Sequence, residues 1–242
     1  MAIIADRLAQ LHERLARACA AASRPVHSVT LLVVSKTFDT GAVREAIAAG
    51  EHRFGENYVQ EGVDKIATLA DERGRLEWHL IGPLQSNKTR VVAEAFDWVH
   101  SVDRLKIAQR LSEQRPAHLP PLQVCLQVNI SGEASKSGLR PDDTAQIALA
   151  VAALPRLTLR GLMAVPGPAA NFEAQRGPHR ALRELMESLQ AQGLAHDTLS
   201  IGMSDDLEAA IMEGATIVRI GSAIFGTRPP VAPVLNRAPT RS

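Results

Sequence analysis

The chain has 242 residues, of which 45% are hydrophobic, and 27 basic residues nearly balance 26 acidic ones. The resulting net charge of +1 argues against a nucleic-acid-binding surface, and the length suits one α/β domain of roughly 250 residues. No apolar run reaches the roughly 18 residues of a membrane-spanning helix. Charged residues interrupt the amino terminus too early for a signal peptide. We therefore expect a soluble, cytoplasmic protein.

The first element predicted along the chain is an amphipathic helix. Ile4, Leu8, Leu11, Leu15 and Cys19 recur at helical spacing, which would give the helix one apolar face. Such a face packs on the body of a domain.

A strand followed by a helix then recurs along the chain. The candidate strands are eight short apolar runs, at 29–34, 52–54, 76–81, 98–100, 122–130, 157–162, 198–201 and 216–220. Helical patterns lie between them, at 42–49, 58–69, 88–96, 103–111, 142–153, 180–192 and 205–213. This alternation predicts a parallel sheet with helices packed on it.

Eight strands are also the number that closes a (β/α)8 barrel. We predict a single barrel domain of this TIM type over residues 1–228, with the amphipathic helix as an addition at its amino terminus. An open doubly wound sheet is the alternative, because the runs at 52–54 and 98–100 are short. The segment 229–242 is proline-rich and is predicted to be a poorly ordered tail.

The first strand ends at a lysine. The run 29–34 is apolar or β-branched without alternation, as in a strand buried on both faces, and Lys36 follows it. Ligands of α/β folds bind at this rim, and a desolvated lysine can attack an aldehyde to form a Schiff base. A lysine that extends from a strand end into solvent is the simpler alternative.

The loops after the seventh and eighth strands contain the components of an anion site. Ser200, Gly202, Met203 and Ser204 form the first loop, and the second offers backbone N–H groups and a hydroxyl at Gly221 and Ser222. Barrel enzymes often bind phosphate at this position. Asp205 and Asp206 would repel a phosphate from the first loop and are predicted to stabilise the start of the next helix. We therefore expect Gly221 and Ser222 to be the main phosphate donors.

Other site chemistries lack support in the sequence. The histidines are scattered, no His-x-x-x-His or Cys-x-x-Cys pair exists, and a Gly-x-Ser-x-Gly elbow is absent. Cys19 and Cys125 are predicted to be small buried hydrophobic residues of a reducing compartment. Neither a metal site nor a serine hydrolase is expected.

Several segments are together highly specific for one family. They read VSKT at 34–37, FGEN at 54–57, WHLIGPLQSNK at 78–88, VNIS at 128–131, KSG at 136–138, GLM at 161–163, LSIGMSDD at 199–206 and VRIGSAIFG at 218–226. In this order they resemble the pyridoxal 5′-phosphate (PLP) homeostasis protein family. The resemblance implies a barrel similar to the N-terminal domain of alanine racemase, without the second domain of that enzyme.

The resemblance also implies the ligand and its contacts. PLP would be held covalently, as a Schiff base on Lys36. Arg219 would lie opposite the pyridine nitrogen, and Asn57 would lie near the ring. The residues around the phosphate would be Ser200, Met203, Ser204, Gly221 and Ser222. The family is thought to buffer and deliver PLP and to affect amino-acid and keto-acid balance. Its partners would be PLP and PLP-dependent apo-enzymes, without nucleic acid or membrane, and a monomer is expected.

The implied arginine argues against catalytic turnover. An arginine facing the pyridine nitrogen favours its unprotonated form and so weakens the cofactor as an electron sink. Racemisation also needs an acid/base group on each face of the substrate carbon. Lys36 could supply one, and the candidates for the other are Tyr58 and His79. We therefore predict no catalytic residues, with a PLP-dependent racemase or lyase and a Schiff-base aldolase for sugar phosphates as alternatives.

A few basic residues could form a second PLP site or a docking surface. Solvated side chains are the favoured interpretation for this set, which comprises Arg44, Lys65, Lys88, Arg90 and Lys136.

Overall fold

The computed structural model describes residues 2–133 and 136–226. Eight parallel strands form a closed barrel in which each strand pairs with its neighbours in sequence, and the pairing of the first strand with the eighth closes it. The strands are β1 Thr30–Val34, β2 Arg53–Glu56, β3 Glu77–Leu80, β4 Trp98–Val102, β5 Leu122–Gln127, β6 Leu157–Met163, β7 Thr198–Ser200 and β8 Ile217–Ile220. The predicted (β/α)8 fold is therefore confirmed, and the open sheet was the wrong alternative.

Helices cover the outside of the barrel. They are α1 Ala2–Ala21, α2 Thr40–Ala48, α3 Val59–Thr68, α4 Thr89–Ala95, α5 Leu105–Gln114, α6 Pro141–Ala152, α7 Phe172–Ala191, α8 Leu207–Met212 and α9 Ser222–Phe225. The predicted domain end at 228 and the tail at 229–242 lie outside the described residues, so both stay predictions.

The prediction for α7 was wrong at its amino end. The helix begins at Phe172, eight residues before the predicted start, and it contains Pro178. The Asn171 side chain caps it by accepting a hydrogen bond from the Ala174 N–H. Proline removes the N–H that would bond the carbonyl of Ala174, four residues earlier. Because Ala174 is exposed, water can hydrogen-bond that carbonyl.

Alternation along the strands separates two cores. The larger core lies between strands and helices, and β1 contributes Leu31 and Val33 to it. The smaller one fills the barrel interior and comprises Leu32, Trp98, Cys125, Met163 and Ile217, with Ile81 packed against it. Residues that share the inward-facing positions of this interior core continue to the mouth of the barrel. The alternation along each strand, its phase, therefore decides which side chains reach that end.

Helix α1 packs against the outside of the barrel as predicted. Leu8, Leu11, Leu15 and Cys19 are buried, and the helix contacts α2, α8 and α9. Arg14 donates to both carboxylate oxygens of Glu208 at 2.6 Å and to the Ser204 carbonyl at 2.9 Å. The added helix therefore holds the loop after β7 from outside.

The predicted burial of the two cysteines is confirmed, because Cys19 and Cys125 are buried free thiols. Burial raises the pKa of Cys125 to about 12, as expected for an unreactive interior residue. No helix in the described ranges is long and apolar enough to cross a membrane.

Candidate functional site

A cavity of about 270 Å³ lies at the carboxyl end of the strands, beside the loops after β1, β2, β7 and β8. Seven of the eight predicted site residues line it: Lys36, Asn57, Met203, Ser204, Arg219, Gly221 and Ser222. The lining is completed by Val34, Phe38, Ile81, Val165, Asp205 and Gly226. Residues from the ends of six strands, β1, β2, β3, β6, β7 and β8, thus meet at one site, as the predicted parallel strands require.

Lys36 lies in a tight turn after β1. Strand alternation places Leu32 inside the barrel and Val34 and Lys36 on the cavity, whereas Ser35 faces the outer layer, where it is buried. The turn is closed by the Phe38 N–H, which donates to the Ser35 carbonyl at 3.1 Å. The phase of β1 therefore directs Lys36 toward the cavity.

The backbone after Lys36 is unusual. Thr37 has a φ of +69°, a left-handed conformation that β-branched residues rarely adopt. Its N–H donates to Glu61 Oε1 at 2.6 Å, so a carboxylate on α3 holds this conformation. Phe38 then stacks on Phe225, with ring centroids 4.7 Å apart, and joins the β1 loop to α9.

Lys65 is buried beneath this turn. Its ammonium donates to the Ser35 carbonyl at 2.7 Å, to Glu56 Oε1 at 2.8 Å and to Glu61 Oε1 at 2.6 Å. Burial raises the pKa of Glu56, although Lys65 and Ser35 act in the opposite direction. The expectation of a solvated side chain was wrong for Lys65, because Glu56 leaves β2 toward α3 and meets Glu61 and Lys65 on one helix face.

The other four basic residues of that set lie elsewhere. Arg44 is exposed and paired with Asp71 at 3.0 Å, and Lys88 and Arg90 are exposed. Lys136 is 3.0 Å from Glu133 Oε1 and donates to the Val165 carbonyl at 3.1 Å.

Asn57 follows β2 and packs closely against the β3 loop. A Cβ on Gly82 would lie 2.0 Å from the Asn57 carbonyl oxygen, so this approach requires glycine. The Asn57 side-chain oxygen is buried and accepts no hydrogen bond from the described residues. A buried acceptor at the wall of a cavity can be satisfied by a ligand.

Arg219 is buried in the floor of the cavity. It donates through Nη1 to the carbonyl and hydroxyl of Ser200, the latter at 2.8 Å, and through Nη2 to the Ala164 carbonyl at 2.8 Å. Burial lowers its pKa to about 10, with Asp206 acting in the opposite direction, so the guanidinium stays charged at neutral pH.

Ser200 is where the structure departs from the predicted set. It does not line the cavity but is fully buried below it, between Arg219 and His100. The reason is strand phase, because Ser200 still belongs to β7 and faces the barrel interior. Its contact with the cavity therefore runs through Arg219.

A buried hydrogen-bonded chain continues from Ser200 down the barrel. Ser200 Oγ lies 2.7 Å from His100 Nδ1, and His100 Nε2 lies 2.8 Å from His79 Nδ1. His79 Nε2 then lies 2.8 Å from Glu77 Oε1. Burial lowers the pKa of both histidines, and Arg219 lowers that of His100 further. Burial acts to raise the pKa of Glu77, but His79, Arg53 and Trp98 together outweigh it and the pKa falls to about 2.

These charge states fix the order of the protons. Ionised Glu77 can only accept, so His79 donates from Nε2 and accepts at Nδ1. His100 then donates from Nε2 to His79 and accepts at Nδ1 from the Ser200 hydroxyl. The Ser200 oxygen accepts from Arg219, which can only donate. The four ring nitrogens of His79 and His100 are thus all hydrogen-bonded while both rings remain neutral.

The loops after β7 and β8 meet beside the cavity. The hydroxyl oxygens of Ser204 and Ser222 are 3.3 Å apart, and α9 begins at Ser222 directly after Gly221. Gly221 is packed tightly, because a Cβ there would lie 2.8 Å from the Val34 carbonyl oxygen. Small residues thus leave the backbone N–H groups of this corner close to the cavity.

The two acidic residues after Ser204 behave differently. Asp205 is exposed and lines the cavity, whereas Asp206 accepts a hydrogen bond from the Met203 N–H at 2.6 Å and contacts His179 at 3.0 Å. Burial acts to raise the pKa of Asp206, but His179 and the Met203 N–H outweigh it and lower the pKa. The predicted helix start at 205 was two residues early, and the Asp206 side chain closes the preceding turn instead of capping α8.

The two candidates for a second acid/base group lie away from the cavity. Tyr58 is exposed at the start of α3, and His79 is fully buried in the barrel interior. Lys36, Asp205 and Arg219 are the titratable residues among the described lining. Sequence patterns had not indicated Glu77, His100 or Glu61, although the spacing Glu77–His79 places both on one side of β3.

Comparison with known proteins identifies relatives. Residues 7–229 match the family described as "Alanine racemase, N-terminal domain". The chain is 61% identical to the pyridoxal phosphate homeostasis protein of Pseudomonas aeruginosa over 96% of this chain and 99% of that protein. It is 54% identical to the Escherichia coli K12 protein of the same name, over 93% and 97%.

Solved structures agree with these matches. PipY of Synechococcus elongatus with PLP bound is 37% identical, covers 92% of this chain and is itself covered completely, with a TM-score of 0.81. Alanine racemase of Clostridium difficile shares the fold at a TM-score of 0.73 and 13% identity, and this chain covers 58% of it. The chain therefore belongs to the pyridoxal phosphate homeostasis protein family, whose barrel is that of the alanine racemase N-terminal domain.

Proposed function

We propose that this chain binds PLP as a Schiff base on Lys36 and takes part in PLP homeostasis, buffering the cofactor and delivering it. The observation that carries the proposal is a single cavity that joins Lys36, Arg219 and the loops after β7 and β8. Relatives that share more than half of their residues with this chain have the homeostasis name, and the related PipY structure contains PLP.

The lining fits the parts of PLP. Arg219 would face the pyridine nitrogen, and the unsatisfied oxygen of Asn57 would lie near the ring and its substituents. Ser204, Gly221 and Ser222 would bind the phosphate. Because the Met203 N–H is already bonded to Asp206, Met203 would contribute a wall of the phosphate site rather than a donor.

The link to Lys36 is a condensation. Lys36, as an unprotonated amine, would form a carbon–nitrogen bond with the aldehyde carbon of PLP while the aldehyde oxygen leaves as water. No oxidant or reductant is needed, and hydrolysis reverses the reaction. A reversible link suits a protein that stores a reactive aldehyde and releases it.

The site favours holding PLP over catalysing a reaction with it. When bound, PLP supplies an electron sink that works best with a protonated pyridine nitrogen. The charged Arg219 disfavours that protonation. Among the described residues, the lining also lacks tyrosine, histidine and cysteine side chains that could act opposite Lys36, although it contains exposed Asp205. We infer a carrier without turnover, whose recipients are PLP-dependent apo-enzymes and whose loss disturbs amino-acid and keto-acid balance.

The test is to titrate purified protein with PLP and follow the visible absorption band of the imine. Borohydride reduction followed by peptide mapping should place the reduced adduct on Lys36. Lys36→Ala should abolish the band, whereas Lys88→Ala, which removes an exposed lysine, should not.

Three outcomes would contradict the proposal. A protein that forms no imine with PLP but cleaves a sugar phosphate through Lys36 would be an aldolase. Turnover of an amino acid at more than about 1 s⁻¹ would make it a racemase or lyase. An adduct on another lysine would show that Lys36 is not the residue that forms the Schiff base.

A further inference from the structure

Two carboxylates and an ammonium surround the turn that carries Lys36. We propose that Glu56, Glu61 and Lys65, the anchor cluster, position Lys36 for imine formation, and that Glu61 and Lys65 are positioning residues for this reaction. The inference rests on the proposed function, because it concerns the step in which Lys36 joins PLP.

The Lys65 ammonium connects three elements. Its three hydrogens are all used, because it donates to Ser35 after β1, Glu56 at the end of β2 and Glu61 on α3. Lys65 is 5% exposed, so water competes little for these bonds. An ammonium fully engaged in this way is not a nucleophile, so Lys65 acts on the turn and does not itself react with the aldehyde.

The cluster holds the residues on both sides of Lys36. Before it, the Ser35 hydroxyl donates to Glu56 Oε1 at 2.6 Å, and the Ser35 carbonyl accepts from Lys65. After it, the Thr37 N–H donates to Glu61 Oε1 at 2.6 Å. The lysine is therefore the central residue of a three-residue segment whose two ends are fixed to one charged group.

The backbone at Thr37 shows why such a restraint is needed. A threonine at a φ of +69° is strained, and strained residues persist only where their surroundings over-determine them. Without the Glu61 carboxylate, Thr37 would relax toward negative φ. The backbone of the turn would then shift, and the Lys36 side chain would change direction relative to the cavity. A misplacement of about 1 Å can slow a reaction about 10²-fold.

Stability alone is a poor explanation of the cluster. A buried ion pair contributes little net stability relative to apolar residues of similar volume, because removing the charges from water is costly. What the cluster provides is a fixed backbone position for Ser35 and Thr37, the residues on either side of Lys36.

The experiment compares Glu61→Ala with Glu61→Gln and with Glu187→Ala. Glu187 pairs with Arg183 at the same i,i+4 spacing as Glu61 with Lys65, but on α7. Two quantities are measured on folded protein: the rate constant of imine formation with PLP, and the affinity for pyridoxamine 5′-phosphate. The latter carries an amine in place of the aldehyde and cannot condense with Lys36.

Glu61→Ala should slow imine formation about tenfold while changing pyridoxamine 5′-phosphate affinity by less than about twofold. Glu61→Gln keeps an acceptor oxygen for the Thr37 N–H and should recover most of the rate. Glu187→Ala should match the wild type in both quantities. Lys65→Met, which removes the shared ammonium, should slow the reaction at least as much as Glu61→Ala.

Two results would overturn the inference: a Glu61→Ala rate equal to that of Glu187→Ala, or equal losses of imine formation and pyridoxamine 5′-phosphate binding. The second would show a general collapse of the site. Wild-type protein that binds pyridoxamine 5′-phosphate but forms no imine would overturn the proposed function instead, so the two failures are distinguishable.

Discussion

The two cationic residues of the cavity are supported in opposite ways. Lys36 lies above the anchor cluster of Glu56, Glu61 and Lys65, which is charged and located between the barrel and α3. Arg219 lies above a chain inside the barrel that begins with the Ser200 hydroxyl and continues through two neutral imidazoles. The first support consists of ion pairs, and the second consists of oriented neutral dipoles next to Arg219, with the ionised Glu77 carboxylate only at its far end.

The difference follows from what each cation needs. Arg219 is itself a buried permanent charge, so a protonated histidine next to Ser200 would repel it, and neutral rings that only pass on hydrogen bonds do not. The turn at Lys36 contains a strained backbone, and charge-assisted hydrogen bonds hold it more strongly than neutral ones would. In this site, charged groups therefore fix the backbone of the turn at Lys36, and neutral groups next to Arg219 orient its guanidinium.

The largest effect is expected when the charged support is broken. Lys65→Met leaves Glu56 buried beside Glu61 without a counter-ion, and this should lower the free energy of unfolding by about 3–5 kcal/mol. Urea unfolding followed by circular dichroism measures it.

The matched control for Lys65→Met is Arg44→Met, which breaks an exposed ion pair with Asp71 and should change stability little. Equal stability of the two variants would show that Lys65 is not engaged as described. The comparison between a charged and a neutral support would then fail.

The neutral support should respond less. Ser200→Ala removes one of the two acceptors for Arg219 Nη1, because the backbone carbonyl remains, and the donor for His100 Nδ1, and should cost about 1–3 kcal/mol. It should also weaken pyridoxamine 5′-phosphate binding, because Arg219 loses part of its orientation. Unfolding curves and ligand titration measure the two effects.

Ser112→Ala is the control for Ser200→Ala, since Ser112 is also buried and donates to a carbonyl, that of Pro155. It should destabilise the fold without changing ligand affinity. If both serine variants weaken binding equally, the chain below Arg219 has no specific role at the site.

The success of the fold prediction has a clear physical basis. Unbroken apolar runs such as 29–34 occur where a strand is buried on both faces, and the helices between them carry their own period. The start of α7 was missed because proline usually marks a helix boundary, whereas here Pro178 lies in the second turn. A proline is tolerated here because the carbonyl it leaves without a backbone partner, that of Ala174, is exposed to solvent.

The site was predictable where it depends on strand ends and unpredictable where it depends on pairing across elements. Lys36 and Gly221 lie in the loops after β1 and β8, Arg219 is the penultimate residue of β8, and the parallel barrel brings the three together. Lys65 was misassigned because its burial depends on Glu56 and Ser35, 9 and 30 residues away in the sequence. Ser200 was placed at the phosphate because a serine near a strand end does not reveal whether it lies before or after the last interior position.

Lowering the pH should distinguish the two supports. His79 and His100 have pKa values lowered by burial from 6.5, so below that value the unfolded chain binds protons that the native state does not. Stability is therefore fully present above about pH 6.5 and falls as the pH drops below it, by up to about 1.4 kcal/mol per pH unit for each histidine. Urea unfolding between pH 7 and about 5.5 measures the slope.

His100→Gln should reduce that slope, because one of the titrating rings is gone while an amide can still donate to His79. His118→Gln removes an exposed histidine and should leave the slope unchanged. A wild-type slope that His100→Gln does not alter would mean that the buried rings titrate alike in both states, and the neutral support would be refuted.

The smallest effect concerns a third support, which acts on the phosphate loops from outside. Arg14 on α1 bonds Glu208 and the Ser204 carbonyl, but it is partly exposed, so solvent weakens both contacts. Arg14→Met should lower stability by less than about 1 kcal/mol. Because Ser204 borders the cavity, the variant should weaken inorganic phosphate binding more than Arg17→Met, which removes only an exposed pair with Glu13. If the two variants bind phosphate alike, α1 contributes to the fold alone, and the support of the site is confined to the two networks beneath Lys36 and Arg219.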